Sequence, residues 1–362
     1  MKLLCRRLCL PVVTIALAGC QAAAPEPVSR HLVNPVEIGR LGYRHRWTTD
    51  LGIQAGSPLD KIAVLDDVIV LIETPGNLVS AWSANDGAHL WFKKVGNPSD
   101  RLFEPRRSGD HILINSESKL YSLAASNGKI EQVHSLHAPV HHAPALRGNL
   151  VIFGGQNGHL YAQDIESGAF RWAHGVGSAI IASPVLNESY VLATTDRGAY
   201  KLVSAASGKA ISSGRTFGRI SAAPVATEAG FLVASEDHTL YALTNVTLLD
   251  RWKYRAPKAL TQAPVVLQSV AYLPVTDHGL VALDAISGEK LWELPGVTAQ
   301  PVDAVQDKVL LNMGTELALL ASETGRKVSS LPTHPLLKVV RMPERHLVLV
   351  SRAGRMMRLD RG

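Results

Sequence analysis

The chain has 362 residues, with 37 lysines and arginines against 31 aspartates and glutamates, a formal net charge of +6. A balance this mild gives no electrostatic footprint for nucleic acid, and a length above 300 residues buries a core without disulfide staples. The three cysteines are Cys5, Cys9 and Cys20, so everything after residue 20 lacks both a disulfide and a thiolate metal site.

At the N-terminus, Lys2, Arg6 and Arg7 precede an apolar stretch from Leu8 to Ala18, the layout of a secretory signal. A permanent span would need about 20 apolar residues. The stretch closes on Leu17-Ala18-Gly19-Cys20, which resembles the lipobox of bacterial lipoproteins. There the small residues let the backbone enter a peptidase site, and the cysteine thiol forms a thioether to diacylglycerol before acylation by chains such as palmitate. The resemblance implies that residues 1–19 are removed and that Cys20 becomes the lipidated N-terminus. Gln21 in place of Asp implies an outer-membrane address. The mature chain then has 34 basic against 31 acidic residues, a net charge of +3. Residues 20–40, with Ala22 to Pro27 among them, read as a tether holding the domain off the membrane.

From residue 78 onward the chain repeats a unit of about forty residues. Clear copies are Leu160-Tyr161-Ala162-Gln163-Asp164-Ile165-Glu166-Ser167-Gly168 with Trp172, Leu240-Tyr241-Ala242-Leu243 with Trp252, and Leu280-Val281-Ala282-Leu283-Asp284-Ala285-Ile286-Ser287-Gly288 with Trp292. The turn position falls at Gly87, Gly128, Gly168, Gly208, Leu248, Gly288 and Gly325, at intervals of 41, 40, 40, 40, 40 and 37. Pro144, Pro184, Pro224, Pro264 and Pro301 keep the same step, with Pro58 and Pro105 ahead of them. Proline has no N–H to donate, so it suits a strand entry. Asn157-Gly158 marks a two-residue hairpin, and Gly198, Gly279 and Gly354 hold the equivalent place. The segments alternate in steps of two, which excludes a helical solenoid.

Each unit therefore reads as four short antiparallel strands, the blade of a propeller. Third strands are expected at 78–83, 120–125, 160–165, 200–205, 240–245, 280–285, 317–321 and 355–360. The predicted fold is an all-β, eight-bladed β-propeller over residues 41–362. The last unit ends near Asp360 without an outer strand, whereas Tyr43-Arg44-His45-Arg46-Trp47 matches an outer strand, 44 residues ahead of Trp91. The expected closure is that this N-terminal strand completes the last blade and leaves no unpaired edge.

The Tyr-x-Leu-Asp-x-x-x-Gly-x-x-x-Trp pattern resembles the pyrroloquinoline-quinone-type propeller repeat over nearly all of residues 41–362. The resemblance implies that Trp47, Trp91, Trp172, Trp252 and Trp292 dock between blades near the turn glycines. Gln132, Ser212 and Ser329 stand where further tryptophans would be, and their blades are expected to be softer. Quinoprotein dehydrogenases share this repeat but hold the quinone with calcium, an Asp base and a vicinal Cys-Cys disulfide and are considerably longer, whereas residues 21–362 contain no cysteine and lack the length for such insertions. The lipid-anchored scaffolds of outer-membrane barrel assembly, the BamB-type lipoproteins, match in size, lipobox, tether and ring.

Candidate sites are few. His134, His137, His141 and His142 form a histidine-rich stretch, but neighbours in an extended chain point to opposite faces, so no metal site is assigned. Lys93 to Arg107 lengthens one junction: Pro58 to Pro105 spans 47 residues. It carries Arg101, Arg106 and Arg107 beside Phe103. Because strands alternate in direction, blade-to-blade links and second-to-third-strand hairpins share one face, which also receives Asp196, Arg197, Asp237, His238, Asp277 and His278. These nine residues define the expected partner face. No Gly-x-Ser-x-Gly, Walker loop or His-Glu-x-x-His is present, and Asp164 and Asp284 fit turn-capping roles. No catalytic residue and no cofactor is assigned.

The function expected is that of a periplasm-facing, lipid-anchored scaffold, a monomer that binds envelope proteins within a complex, with no nucleic-acid partner and no enzyme activity. By the resemblance, that complex serves outer-membrane protein assembly. The alternatives are a quinone-dependent oxidoreductase and a binder of carbohydrate or another small ligand.

Overall fold

A computed structural model describes residues 31–53 and 58–362. Its strands form eight four-stranded antiparallel sheets. Blade 1 comprises Leu59–Leu65, Val68–Glu73, Leu78–Ser83 and His89–Lys94, and blade 2 comprises Arg106–Ser108, His111–Asn115, Lys119–Ala124 and Ile130–Ser135. Blades 3 to 7 repeat the order, inner strand first, and end on the outer strands Phe170–Gly175, Ala210–Arg215, Asp250–Arg255, Lys290–Pro295 and Lys327–Pro332. Blade 8 takes Leu336–Arg341, Leu347–Ser351 and Arg355–Arg361 from the C-terminus and Tyr43–Asp50 from the N-terminus. The inner strand of blade 1 packs beside that of blade 8, which closes the propeller. The all-β, eight-bladed architecture and its N-terminal closing strand are therefore as the repeats predict.

The core lies between blades. One hydrophobic cluster fills each of the eight junctions, for instance Val70, Ala81 and Trp91 of blade 1 against Ile112, Tyr121 and Leu123 of blade 2. Second and third strands are apolar on both faces because a blade is covered on both sides. The outer strands are not, and in Phe170–Gly175 Trp172 alone is buried.

Each of the five outer-strand tryptophans covers the turn of the following blade. In four of them the indole N–H donates to a carbonyl there, from Trp47 to Ala84, Trp91 to Ala125, Trp172 to Ala205 and Trp292 to Ser322, at 2.6–3.2 Å. A Cβ placed on Gly87, Gly128, Gly208, Gly288 or Gly325 would fall within 2.7 Å of the ring of Trp47, Trp91, Trp172, Trp252 or Trp292 respectively. All five glycines also have positive φ. Glycine recurs at this turn for two reasons, backbone conformation and the ring lying on it.

The blades without tryptophan fill the notch differently, which bears on their expected softness. Opposite Gly168 the ring of His134, two residues beyond Gln132, takes the indole's place, and its Nε2 lies 3.1 Å from the Glu166 carbonyl. Opposite Ser212 the turn carries Leu248, whose side chain is buried although its φ is +53°. With no indole to meet, a Cβ is tolerated there, and the leucine fills the gap at the ordinary strain of a left-handed residue, about 1 kcal/mol. Ser329 faces blade 8, whose third and outer strands have no connecting turn, and there the Gly362 N–H donates to the Gly42 carbonyl at 3.0 Å.

This pairing makes a prediction. Ser212→Trp should destabilise the protein by roughly 1–3 kcal/mol through overpacking against Leu248, and adding Leu248→Gly should recover most of that loss. A double-mutant cycle by urea unfolding checks it, with an expected coupling of at least ~1 kcal/mol.

Residues 31–40, read from the sequence as the end of the tether, belong to the folded body. Leu32, Val33, Ile38 and Leu41 are buried among side chains of blades 7 and 8. Val33 bridges Thr333, and the His334 N–H donates to the Leu32 carbonyl at 2.9 Å. Their apolar residues are too sparse for a strand pattern, and a short turn, Ile38–Leu41, spaces them instead. Cys20 and the proposed signal segment lie outside the described residues.

Candidate docking face

The blade-to-blade links and the second-to-third-strand hairpins meet on one face and hydrogen-bond to each other. The N–H groups of Val176, Ala256 and Gly296 donate to the carbonyls of Gly158, His238 and His278 at 2.6–2.7 Å. This places Asp196, Arg197, Asp237, His238, Asp277 and His278 together on the rim of blades 4 to 6.

The link after blade 4 is held from two sides. Gly198 and Gly218 bring hairpin and link into backbone contact: a Cβ on Gly198 would strike the Gly218 carbonyl, and one on Gly218 would strike the Asp237 nitrogen. The Thr216 hydroxyl donates to the Gly218 carbonyl at 2.7 Å. Asp237 holds the link from the other side, accepting from the Phe217 N–H at 2.9 Å, the Tyr241 hydroxyl at 2.7 Å and the Thr239 N–H at 2.9 Å. Burial pushes the Asp237 carboxyl up, but these donors outweigh it and hold the group below the ordinary range. The Tyr241 hydroxyl is pushed up to about 12 by burial and by that carboxylate.

The consequence is that Phe217 stands out from a fixed backbone with its side chain 95% exposed. Around it are Arg197, Arg215, whose Nη2 donates to the Arg197 carbonyl at 3.2 Å, and Arg219, 3.8 Å from Glu236. A rigid exposed aromatic among arginines is the composition of a protein-binding hot spot. Sequence reasoning missed Phe217, because a lone aromatic in a link has no periodicity to mark it. The available signal was local: a Phe between Arg215 and Arg219, where Gly96 and Gly177 occupy the equivalent place in other links.

The remaining sequence-predicted residues divide. Asp196 and His238 are half-buried, and Arg197 and Asp277 are exposed. His278 lies 2.9 Å from Glu293. Arg101 is exposed on its link, with its guanidinium 5.4 Å from the Phe103 ring, but Phe103 itself is buried. That long link is folded rather than free: the buried Asn77 donates to the carbonyls of Asn97 and Asp100 at 2.7 Å. Arg106 and Arg107 do not belong to the partner face. Both sit on the inner strand Arg106–Ser108, where the Arg106 Nε donates to the Pro144 carbonyl at 3.3 Å. Arg107 lies 3.6 Å from Asp67 at the first hairpin of blade 1, on the opposite face. The reason is the strand entry at Pro105, after which the chain is already crossing the blade.

The histidine stretch disperses. His134 covers Gly168, His137 stacks on Tyr161, His141 contacts Glu117 and Gln156, and His142 is buried beside the Gly154 carbonyl. Among the described residues no three His, Cys, Asp or Glu side chains are arranged to hold a metal ion. Asp164 is a turn cap: it accepts from the Ser167 N–H and hydroxyl and from Arg171. Arg171 first, and then the Ser167 donors, hold its carboxyl well below the usual range.

Eight four-stranded blades, five of whose junctions seat a tryptophan on a turn glycine, with a rim of links and hairpins presenting side chains outward, define a propeller of the pyrroloquinoline-quinone-repeat class. The family model of outer membrane protein assembly factor BamB matches residues 44–183 and 175–362. The chain belongs to the BamB family. It is 24% identical over 343 residues to the outer membrane protein assembly factor BamB of Yersinia pestis, covering 88% of this chain and 79% of that one. The crystal structure of BamB from Moraxella catarrhalis superposes with a TM-score of 0.69 at 19% identity, over 88% of this chain and 97% of that one. A quinohemoprotein alcohol dehydrogenase from Pseudomonas putida HK5 superposes with a TM-score of 0.68 at 11% identity, over 89% of this chain and 76% of that one. The ring is thus shared by assembly factors and by redox enzymes, and fold alone does not separate them.

Proposed function

We propose that this protein is a non-enzymatic scaffold of outer-membrane protein assembly, anchored through lipid on Cys20 to the outer membrane and facing the periplasm. It works as a monomer within a complex and contacts envelope proteins through the rim of blades 4 to 6. Family membership supports the assembly role, and the lipobox supports the anchor. The observation that carries the docking role is Phe217, fully presented on a backbone pinned by Asp237 and Gly218. Pinning matters because an anchor that is already ordered loses little entropy on binding.

Phe217→Ala should leave the thermal midpoint unchanged, since the side chain packs on little, and should weaken co-isolation of envelope partners from solubilised membranes. A hot-spot aromatic contributes about 2 kcal/mol, or roughly 30-fold in affinity. Cys20→Ser should move the protein from the membrane to the soluble fraction. Unchanged co-isolation with Phe217→Ala would remove the docking assignment, and unchanged fractionation with Cys20→Ser would remove the anchor.

A further inference from the structure

Each blade turns the free edge of an outer strand toward the outside of the ring, and the edges differ in what they leave open. In an antiparallel ladder alternate residues direct their N–H and C=O groups away from the neighbouring strand. The start of each link fixes the phase. Thr216, Gly296 and Thr333 donate inward to the carbonyls of Gly198, His278 and Thr315 at 2.6–2.9 Å, so Arg215, Pro295 and Pro332 hold the last outward positions of blades 4, 6 and 7. Proline has no N–H to offer there. Blade 7 is covered as well, by the chain's own N-terminal segment, through the Val33–Thr333 bridge and the His334 N–H on the Leu32 carbonyl. An outer edge of this ring therefore already carries an added extended segment.

The edge of blade 4 is open. Ala210–Arg215 contains no proline, and Ser213 and Arg215, both exposed, direct their backbone groups outward without a partner among the described residues. Residues directly opposite in a ladder share a face, which puts Lys201, opposite Ser213, on the same face as Arg215. Lys201 Nζ donates to the Gly175 carbonyl at 2.8 Å and Arg215 Nη2 to the Arg197 carbonyl at 3.2 Å. Neither cation has an ion pair among the described residues, and neither has Arg197, although Asp196 is its neighbour in the hairpin. The other face of the strand is filled: the Tyr200 ring lies on Gly214, and the Ser212 hydroxyl donates to the Thr247 carbonyl at 2.7 Å.

We propose that an extended, acidic segment of the protein partner pairs with this edge as a fifth strand of blade 4. It exchanges backbone hydrogen bonds with Ser213 and Arg215 and places a carboxylate against Lys201 and Arg215, so that the main chain supplies affinity and the charge supplies selectivity. Phe217 stands two residues beyond Arg215, which makes edge and aromatic one continuous surface; in describing the form of the partner, the proposal rests on the docking role given to Phe217. A second copy of this chain fits less well, because two-fold pairing of Ala210–Arg215 with itself brings no carboxylate to Lys201.

The intact protein, labelled with ¹⁵N-serine and ¹⁵N-arginine, is titrated with the peptide acetyl-Thr-Val-Glu-Val-Glu-Val-Thr-amide, and the Ser213 and Arg215 amide resonances are assigned by Ser213→Ala and Arg215→Lys. Both resonances should shift saturably, and both amides should exchange with solvent more slowly. The fully N-methylated peptide, with no N–H to pair, should leave them in place. Replacing both glutamates of the peptide by glutamine should weaken binding by about 3-fold or more, and Lys201→Gln should weaken the glutamate peptide but not the glutamine one. Phe217→Ala should alter none of these responses, because the peptide ends at the edge, so failure of the edge and failure of the aromatic site are read separately. No shift of the two amides, an equal response to the N-methylated or the glutamine peptide, an unaltered response in Lys201→Gln, or protection of both amides in a dimer of the protein alone would each overturn the proposal.

Discussion

Deleting residues 41–48 lowers the thermal midpoint of the entire protein by ~10 °C or more, or abolishes a cooperative transition, although the segment lies near one end of the chain. Tyr43–Asp50 is the outer strand of blade 8, paired along its length with Arg355–Arg361. Its loss removes Trp47 from Gly87 and from the Ala84 carbonyl, and a buried tryptophan contributes roughly 3–5 kcal/mol. For a large domain each kcal/mol moves the midpoint by about 2–4 °C, so Trp47 alone accounts for most of the expected shift. The deletion also exposes an unpaired strand edge and should promote aggregation. Differential scanning calorimetry of the truncated and full chains decides it. Identical midpoints would mean that the strand does not hold the ring closed.

Asp303→Ala produces a loss as large as that of a buried tryptophan. Asp303 is completely buried on the inner strand of blade 7 and gathers groups from both ends of the chain. The Tyr43 hydroxyl donates to its Oδ2 at 2.7 Å, Arg341 Nε lies 3.1 Å from Oδ1, and Arg361 Nη1 lies 3.8 Å from Oδ2. Burial, and then the carboxylate beside it, pushes the Tyr43 hydroxyl far above its ordinary value, so it remains a donor at any physiological pH. Removing one member of a buried charged network leaves the others uncompensated and costs about 3–5 kcal/mol. Urea unfolding should show that loss. Asp303→Asn, which keeps an acceptor for Tyr43, should lose less, and equal stability of Asp303→Ala and wild type would contradict a closing role for the network.

The propeller was legible because its physics is repetitive. A glycine under each indole and a proline at each strand entry recur every forty residues, and Trp47 betrayed the closing strand by standing one period ahead of Trp91. What escaped was local. His134 replaces a tryptophan from two residues further along, a shift that register alone does not reveal. Leu248 replaces a glycine because Ser212 replaces its indole, a coupling between neighbouring blades forty residues apart in neither pattern by itself. Arg106 and Arg107 read as loop residues by charge, yet Pro105 already marked the strand that carries them to other tasks. Leu32 to Ile38 looked like tether, since Val33 and Leu32 make their backbone contacts about 300 residues away, at Thr333 and His334. The candidate face was legible as topology, but its central residue, Phe217, was not, because exposure of a single loop side chain depends on Gly198, Gly218 and Asp237 acting together.

Photo-crosslinking in intact cells, from an unnatural amino acid at position 217 and from a control at Ala206 in a third-to-fourth-strand turn on the opposite face, tests docking most directly. A partner face on the rim of blades 4 to 6 requires adducts with outer-membrane assembly proteins from position 217 and none from position 206. No envelope adduct from position 217, together with quinone-dependent dye reduction by the purified protein, would contradict the scaffold and favour an enzyme.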